Sequence, residues 1–402
     1  KDIGMEITGA VGDGMADEPL EVLGNKTPLQ AAHTPAMDLV ARSGKSGLVH
    51  TVPAGLHPGS DVCNMGILGY NPHEFYTGRG PIEAAAMNIN PPEGLVVFRC
   101  NLVCITNGMM KDFTSGHIST EEATELMTSL NESLTSFFPE EKLEFFPGVS
   151  YRHILLLPKK YVNLKTTAPH DITDQQVADF TPKGETEDGL MAIFNKAADI
   201  LEAHPVNKRR VSKGLDPATH IWPWSQGVMP SLPSFKSKFG ITGGIVTAVD
   251  LLKGLGTLSG LVTPMVKGAT GFLDTNYKNK LDASFKILET HDFVYIHIEA
   301  PDEAGHMGRH DLKIKAIEDF DKNIVMPCLD YAKTHDDVHI MVLPDHPTPC
   351  RLKTHTSEAV PVAYMGSTKG TDKSEYYDEE SVKKGDLLFK TPWDLLASFL
   401  TS

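Results

Sequence analysis

The segment Phe293-Val294-Tyr295-Ile296-His297-Ile298-Glu299-Ala300-Pro301-Asp302-Glu303-Ala304-Gly305-His306 sets the reading of the whole chain. Its first six residues are an apolar run of buried-strand type. If a turn starts at Pro301, Asp302 and His306 lie one helical turn apart and both reach one ion. Two other apolar runs end in the same way. Residues 5–11 lead into Gly12-Asp13-Gly14, and residues 338–343 lead into Asp345-His346. In an open parallel sheet, ligands gather beyond the carboxyl ends of the strands. Three such strands deliver Asp13, Asp302 and Asp345 to one edge, and an anionic cup of that kind is stable only when cations fill it.

Composition agrees with a metalloenzyme. A chain of 402 residues, 41% hydrophobic and 22% charged, buries a sizeable core and is expected to form two domains. No stretch approaches the roughly 20 apolar residues that cross a bilayer, and no targeting pattern opens the sequence, so a soluble cytoplasmic protein without a membrane partner is expected. Cys63, Cys100, Cys104, Cys328 and Cys350 lack paired spacing and read as buried structural side chains. A net charge of −15 argues against a nucleic-acid partner. It is compatible with a small phosphorylated substrate, because metals and a few local arginines reverse the sign inside a pocket.

The order of elements is mostly strand then helix, which predicts a doubly wound α/β core with a mostly parallel sheet. Core strands are expected at 5–11, 47–51, 241–247, 293–298, 338–343 and 360–365, and helices at 34–43, 249–255, 312–333 and 391–400. The middle of the chain brings its own strands, 95–106 and 151–157, and its own helices, 120–138 and 189–204. Gly- and Pro-rich stretches at 78–94 and 223–233 flank it. Core strands occur on both sides, so residues 95–230 read as a smaller α+β domain inserted into a domain of residues 1–94 and 231–402.

Other residues join the metal set. Asp345 and His346, adjacent after a strand, are expected to point in different directions and serve two ions, with His355 returning after a short loop. His310 continues the spacing from His306, but a place at the start of the next helix suits it better than a ligand role. In Pro58-Gly59-Ser60-Asp61-Val62, glycine permits a tight turn, and a helix starting there aims backbone N–H groups at a bound phosphate. The bland reading of Ser60 is a helix cap. As a nucleophile it needs activation; no His or Lys lies close in sequence, but a divalent cation lowers the pKa of a coordinated hydroxyl.

Together, Gly12-Asp13-Gly14-Met15-Ala16-Asp17, Pro58-Gly59-Ser60-Asp61-Val62, Gly268-Ala269-Thr270-Gly271 through Thr275-Asn276-Tyr277, the 302–310 segment and Asp345-His346 resemble the archaeal-type cofactor-independent phosphoglycerate mutases of the alkaline phosphatase superfamily. The resemblance spans the chain from Asp13 onward. It implies an alkaline-phosphatase-like fold and two divalent ions, manganese or zinc. One is held by Asp13, Ser60, Asp345 and His346, the other by Asp302, His306 and His355. It further implies Ser60 as the residue phosphorylated during turnover, and no need for 2,3-bisphosphoglycerate. The spacer from His346 to His355 is shorter than in the longer bacterial relatives.

The reaction this implies is the interconversion of 3-phosphoglycerate and 2-phosphoglycerate by two in-line displacements. An inserted domain then serves to hold glycerate and exclude water while the diol turns over. Candidate substrate ligands are Arg79, Arg152, Arg209 and Arg210, with Asp112 and His117 as hydroxyl partners. The basic run around Lys208 reads equally as a solvated loop face, and Asp112 and His117 equally as turn residues. Two other activities use the same seven metal-type residues: a metal-dependent phosphatase or sulfatase, which would release phosphate from 3-phosphoglycerate, and a homoserine-kinase-like phosphotransferase, which would consume ATP with homoserine. No Walker-type or kinase-type Gly-rich loop is present.

Overall fold

The computed structural model describes residues 4–401; residues 1–3 and 402, which the expected first domain includes, lie outside the described residues. The strands, in chain order, are β1 Glu6–Gly12, β2 Lys45–Val49, β3 Leu95–Thr106, β4 Met109–Asp112, β5 Glu144–Phe146, β6 Arg152–Pro158, β7 His220–Gly227, β8 Gly243–Val246, β9 Phe293–Ile298, β10 Val338–Leu343, β11 Val360–Met365 and β12 Leu387–Phe389. The chain divides into two compact units, one running to Tyr76 and resuming at Ser231, the other Thr77–Pro230.

In the first unit seven strands form one sheet in the order β12-β2-β11-β10-β1-β9-β8. Only β11 runs against its neighbours; β1 pairs in parallel with both β9 and β10. These three central strands are buried along their whole length, as a sheet covered on both faces requires. On one face Ala10, Val294, Ile296, Ile340 and Val342 pack against Val40, Leu288, Ile317 and Phe320. On the other, Phe293 stacks on Phe235 and the Tyr295 hydroxyl donates to Asn64. Register sets Gly12 opposite Ile298 and Val11 opposite Leu343, so the chain leaves all three strands at one edge.

The helix expected over 312–333 is not continuous. It consists of His310–Phe320, a π turn Asp321–Val325 and Met326–Ala332. Pro327 cannot donate to the preceding turn. The buried Asp321 side chain instead turns outward from this helix and accepts from the N–H groups of Ala36 and Met37.

The second unit is an antiparallel sheet in which β3 pairs with β4, β6 and β7, and β5 pairs with β6. Val96, Phe98, Cys100 and Leu102 of β3 share a core with the helices Thr120–Phe137 and Glu187–Ala203. The alternate residue Val97 packs with Ala84 of the helix Arg79–Ala86. That helix lies inside the second unit, so the division falls at Thr77 and not at the expected residue 95. The basic run, for which a solvated loop face was one of two readings, lies mostly in a short helix, Pro205–Ser212. All five cysteines are buried and free.

Candidate metal centre

Asp13, the first residue after β1, donates its N–H to Ile298 at the end of β9. The next residue, Gly14, takes φ +62°, and a β-carbon there would fall 2.6 Å from Asp302 Oδ1. Only glycine lets these two ligand-bearing segments approach so closely. Asp302 is the third residue and His306 the last of the short helix Ala300–His306, with His306 Nε2 3.2 Å from Asp302 Oδ2. Asp345 Oδ1 accepts from Gly14 N and His346 N, which locks the loop after β10 onto the loop after β1.

Ser60 is the first residue of the helix Ser60–Ile67, capped by Gly59 without a side-chain bond. Its Oγ lies 3.1 Å from His346 Nε2. Asn64, one turn on, donates to the Ser60 carbonyl and to Asp345 Oδ2 while accepting from Tyr295, which fixes the serine against the strand ends. His346 Nε2 is also 3.4 Å from Asp13 Oδ1 and 3.5 Å from Asp345 Oδ2. Asp345 and His346 therefore converge, contrary to the expected divergence, because the tight turn after β10 folds both side chains toward β1. Beside this set, His355 Nε2 stands 2.9 Å from His306 Nε2 and 3.2 Å from Asp302 Oδ1. Atoms of Asp302, His346 and His355 all lie within 4.8 Å of one another, so the two sets adjoin.

The imidazole tautomers suit cations. His306 Nδ1 meets the Lys353 carbonyl at 3.0 Å, His355 Nδ1 the Pro58 carbonyl at 2.6 Å, and His346 Nδ1 the Pro347 carbonyl at 3.3 Å. A carbonyl only accepts, so each Nδ1 carries hydrogen and each neutral ring turns its Nε2 lone pair into the site. Two such lone pairs 2.9 Å apart need a proton or a metal ion between them. Without an ion that proton sits on His306, whose Nε2 then faces Asp302 Oδ2, and the hydrogen bond to Asp302 raises its pKa to about 9. Burial pushes Asp13 well above the ordinary carboxylate range, with the charges of Asp345, Asp302 and Glu299 adding to it. Burial also opposes ionisation of Asp302, but hydrogen bonds from His306 and His355 hold it well below the usual value. Asp13 Oδ1, fully enclosed, has no hydrogen-bond partner. Donors of this kind, so placed, fit divalent cations.

Sequence reasoning missed several residues here. His297, buried on β9, places Nε2 3.0 Å from Asp13 Oδ2, and burial lowers its pKa to about 4. Glu299, raised by burial to about 8, faces the fully buried Lys280. An ionisable residue alternating into an apolar strand, as His297 does, was the available signal. His310 begins its helix and is not among the grouped ligand atoms.

The second unit holds the remaining candidates. Arg79 heads the helix Arg79–Ala86 and lies 3.2 Å from Glu83. Arg152 is exposed over the Tyr151 ring. Arg209 is exposed and paired with Glu125. Asp112 accepts from Thr114 and Gly116 and is a turn residue; His117, at φ +50°, closes the same turn. Arg210 is corrected as a substrate ligand: only 3% exposed, it donates to Asp216 O, Glu122 and Ser115 O and so holds the unit's own loops. Arg99, missed within an apolar strand, stacks over Trp224 and pairs with Glu83. Burial lowers it to about 10, and the charges of Arg79 and Arg152 act in the same direction.

The geometry defines a class: an α/β protein with a carboxylate–imidazole centre at the carboxyl edge of a mostly parallel sheet, a serine hydroxyl at its rim. Comparison gives the family. Residues 41–207 match the family model described as 2,3-bisphosphoglycerate-independent phosphoglycerate mutase. The chain is 49% identical over 390 residues to the enzyme of that name from Methanosarcina barkeri, covering 96% of this chain and 97% of that one. It is 44% identical over 395 residues to a probable enzyme of that name from Geobacter sulfurreducens, covering 97% and 98%. A solved cofactor-independent phosphoglycerate mutase from Thermoplasma acidophilum superposes with a TM-score of 0.68 at 26% identity, covering 98% and 99%. A Pyrococcus horikoshii protein superposes at 0.82, also at 26% identity, covering 99% and 97%. The chain belongs to the 2,3-bisphosphoglycerate-independent phosphoglycerate mutase family.

Proposed function

We propose that this protein interconverts 3-phosphoglycerate and 2-phosphoglycerate through a phosphorylated Ser60, without 2,3-bisphosphoglycerate. The observation that carries the reading is the convergence of Ser60 Oγ with His346, Asp13 and Asp345, next to Asp302, His306 and His355. Family membership names the substrate. In this reading Asp13, Ser60, Asp345 and His346 hold one divalent ion and Asp302, His306 and His355 the other, with manganese or zinc suiting the mixed nitrogen and oxygen donors. Bound, the ions would lower the pKa of the serine hydroxyl and neutralise the charge of a transferring phosphoryl group.

The chain's own residues do the rest. Ser60 loses its hydroxyl proton and attacks phosphorus as the bond to the glycerate C3 oxygen breaks, and that oxygen takes up a proton; Ser60 Oγ regains one when the second displacement releases it. The C2 oxygen then loses its proton, attacks phosphorus, and the bond to Ser60 Oγ breaks. N–H groups at the start of the helix Ser60–Ile67 favour the phosphoryl charge. Arg79 and Arg152, the less enclosed cations of the candidate set, are kept as proposed partners of the glycerate carboxylate.

The test is turnover of 3-phosphoglycerate without 2,3-bisphosphoglycerate, with and without chelator, for the intact chain and Ser60→Ala. The variant is expected to keep its fold and lose at least about 10³-fold in kcat. Substantial isomerisation by Ser60→Ala would exclude the phosphoserine route, and free phosphate in place of 2-phosphoglycerate would select hydrolysis.

A further inference from the structure

Lys313, the fourth residue of the helix His310–Phe320 that follows the His306 segment, is nowhere near the surface. Its side chain and that of Asp17 are both fully buried, with Nζ 2.9 Å from Asp17 Oδ2. The other two ammonium N–H groups have partners as well: the Ala16 carbonyl at 3.0 Å and the Thr348 carbonyl at 2.9 Å. Three donors meet three acceptors, so the group is held in one place.

Two of the acceptors take a second bond from the neighbouring ligand loop, and the residue that supplies the third bonds a ligand through its side chain. The Ala16 carbonyl also accepts from Thr348 N at 3.1 Å. Asp17 Oδ2 also accepts from Cys350 N at 3.0 Å. Thr348 Oγ1 donates to Asp302 Oδ1 at 2.5 Å. Ala16 and Asp17 lie on the loop that carries Asp13, Thr348 and Cys350 on the loop that carries Asp345 and His346, and Lys313 on the helix entered from His306. One ammonium therefore joins three of the chain segments that bring ligands to the two ion sets. An ordinary core would fill such a place with apolar side chains, since a buried ion pair is seldom the stabler choice.

The geometry points to the Lys313–Asp17 pair as a positioning device that fixes the spacing of the two ion sets, a role that rests on the metal-centre reading above. Neither residue touches substrate. The pair acts through the loops, by holding Asp13, Asp302 and His346 at the separations a pair of cations requires.

Removing one partner strands a buried charge, so the informative variant is the double replacement Lys313→Met with Asp17→Asn, which removes both charges together. Mn²⁺ is titrated calorimetrically into the metal-free intact chain, the double variant, and Asp321→Ala as a control weakened elsewhere in the same unit. The intact chain is expected to bind two Mn²⁺ and Asp321→Ala to bind them with unchanged affinity. The double variant should fold, as judged by circular dichroism, and bind at least one Mn²⁺ tenfold or more weakly. A folded double variant with two intact-chain affinities would overturn the inference while leaving the metal-centre reading in place. A double variant that does not fold would also overturn it, by making the pair a requirement of the fold. An intact chain that binds no Mn²⁺ would overturn the reading itself, and this inference with it.

Discussion

Glu379 shows how a single carboxyl near the ligand loops responds to its surroundings. It accepts from Asp17 N at 3.1 Å and from Thr27 Oγ1 at 2.7 Å, yet burial outweighs both and raises its pKa from 4.5 to about 7. A carboxyl raised on folding binds more protons in the native state than in the unfolded one, so its contribution is full below 4.5 and is lost as pH rises toward 7. Glu379→Gln, which cannot ionise, is expected to be more stable than the intact chain at pH 8 by about 1–2 kcal/mol, with the difference vanishing near pH 4.5. Denaturant melts of the metal-free forms at both pH values decide it, and a difference independent of pH would refute the assignment. At this scale the sequence was informative where chemistry is written in residue type: Ser60, Asp302, His306, Asp345, His346 and His355 were all named from pattern and resemblance. Arg210 was misread, because a cation in a basic run gives no sign that Glu122 and two carbonyls already occupy it.

Elements were legible where one physical signal dominated. β9, β10 and β11 appear with their expected bounds because short, largely apolar runs rich in β-branched residues, interrupted only by His297, His339 and Pro361, admit little else. The long helix after His310 was read as continuous because its apolar period continues through the π turn; Pro327 and the reach of Asp321 to another element mark the break. The helix Pro35–Ser43 has no cap from Thr34, and Asp321 supplies it from the π turn. Asp321→Ala should therefore cost about 1–3 kcal/mol, since two buried N–H groups lose their acceptor. Urea melts measure this, and a loss under about 0.5 kcal/mol would mean the helix end finds another partner.

Across the whole molecule, the proposed metal centre predicts that the first unit's stability depends on cations, because Asp13, Asp302 and Asp345 are buried carboxylates. Removing metal with a chelator is expected to lower the melting temperature by several degrees, because each ion at a hundred times its dissociation constant contributes about 2.7 kcal/mol. Restoring Mn²⁺ should return it; equal melting temperatures in both states would show that these groups hold no metal. Among the described residues no helix is long and apolar enough to cross a membrane. What the sequence determined alone was local: strand-forming runs, the acidic and imidazole residues at their ends, and a serine after a glycine, each decided by side chains a few positions apart. What only the tertiary structure decided was convergence. That His346 meets Ser60, that three imidazoles set Nδ1 against carbonyls and turn Nε2 inward, and that Lys313 ties its own helix to two ligand loops all depend on contacts between distant residues. Sheet register and packing set those contacts, and no local pattern encodes them.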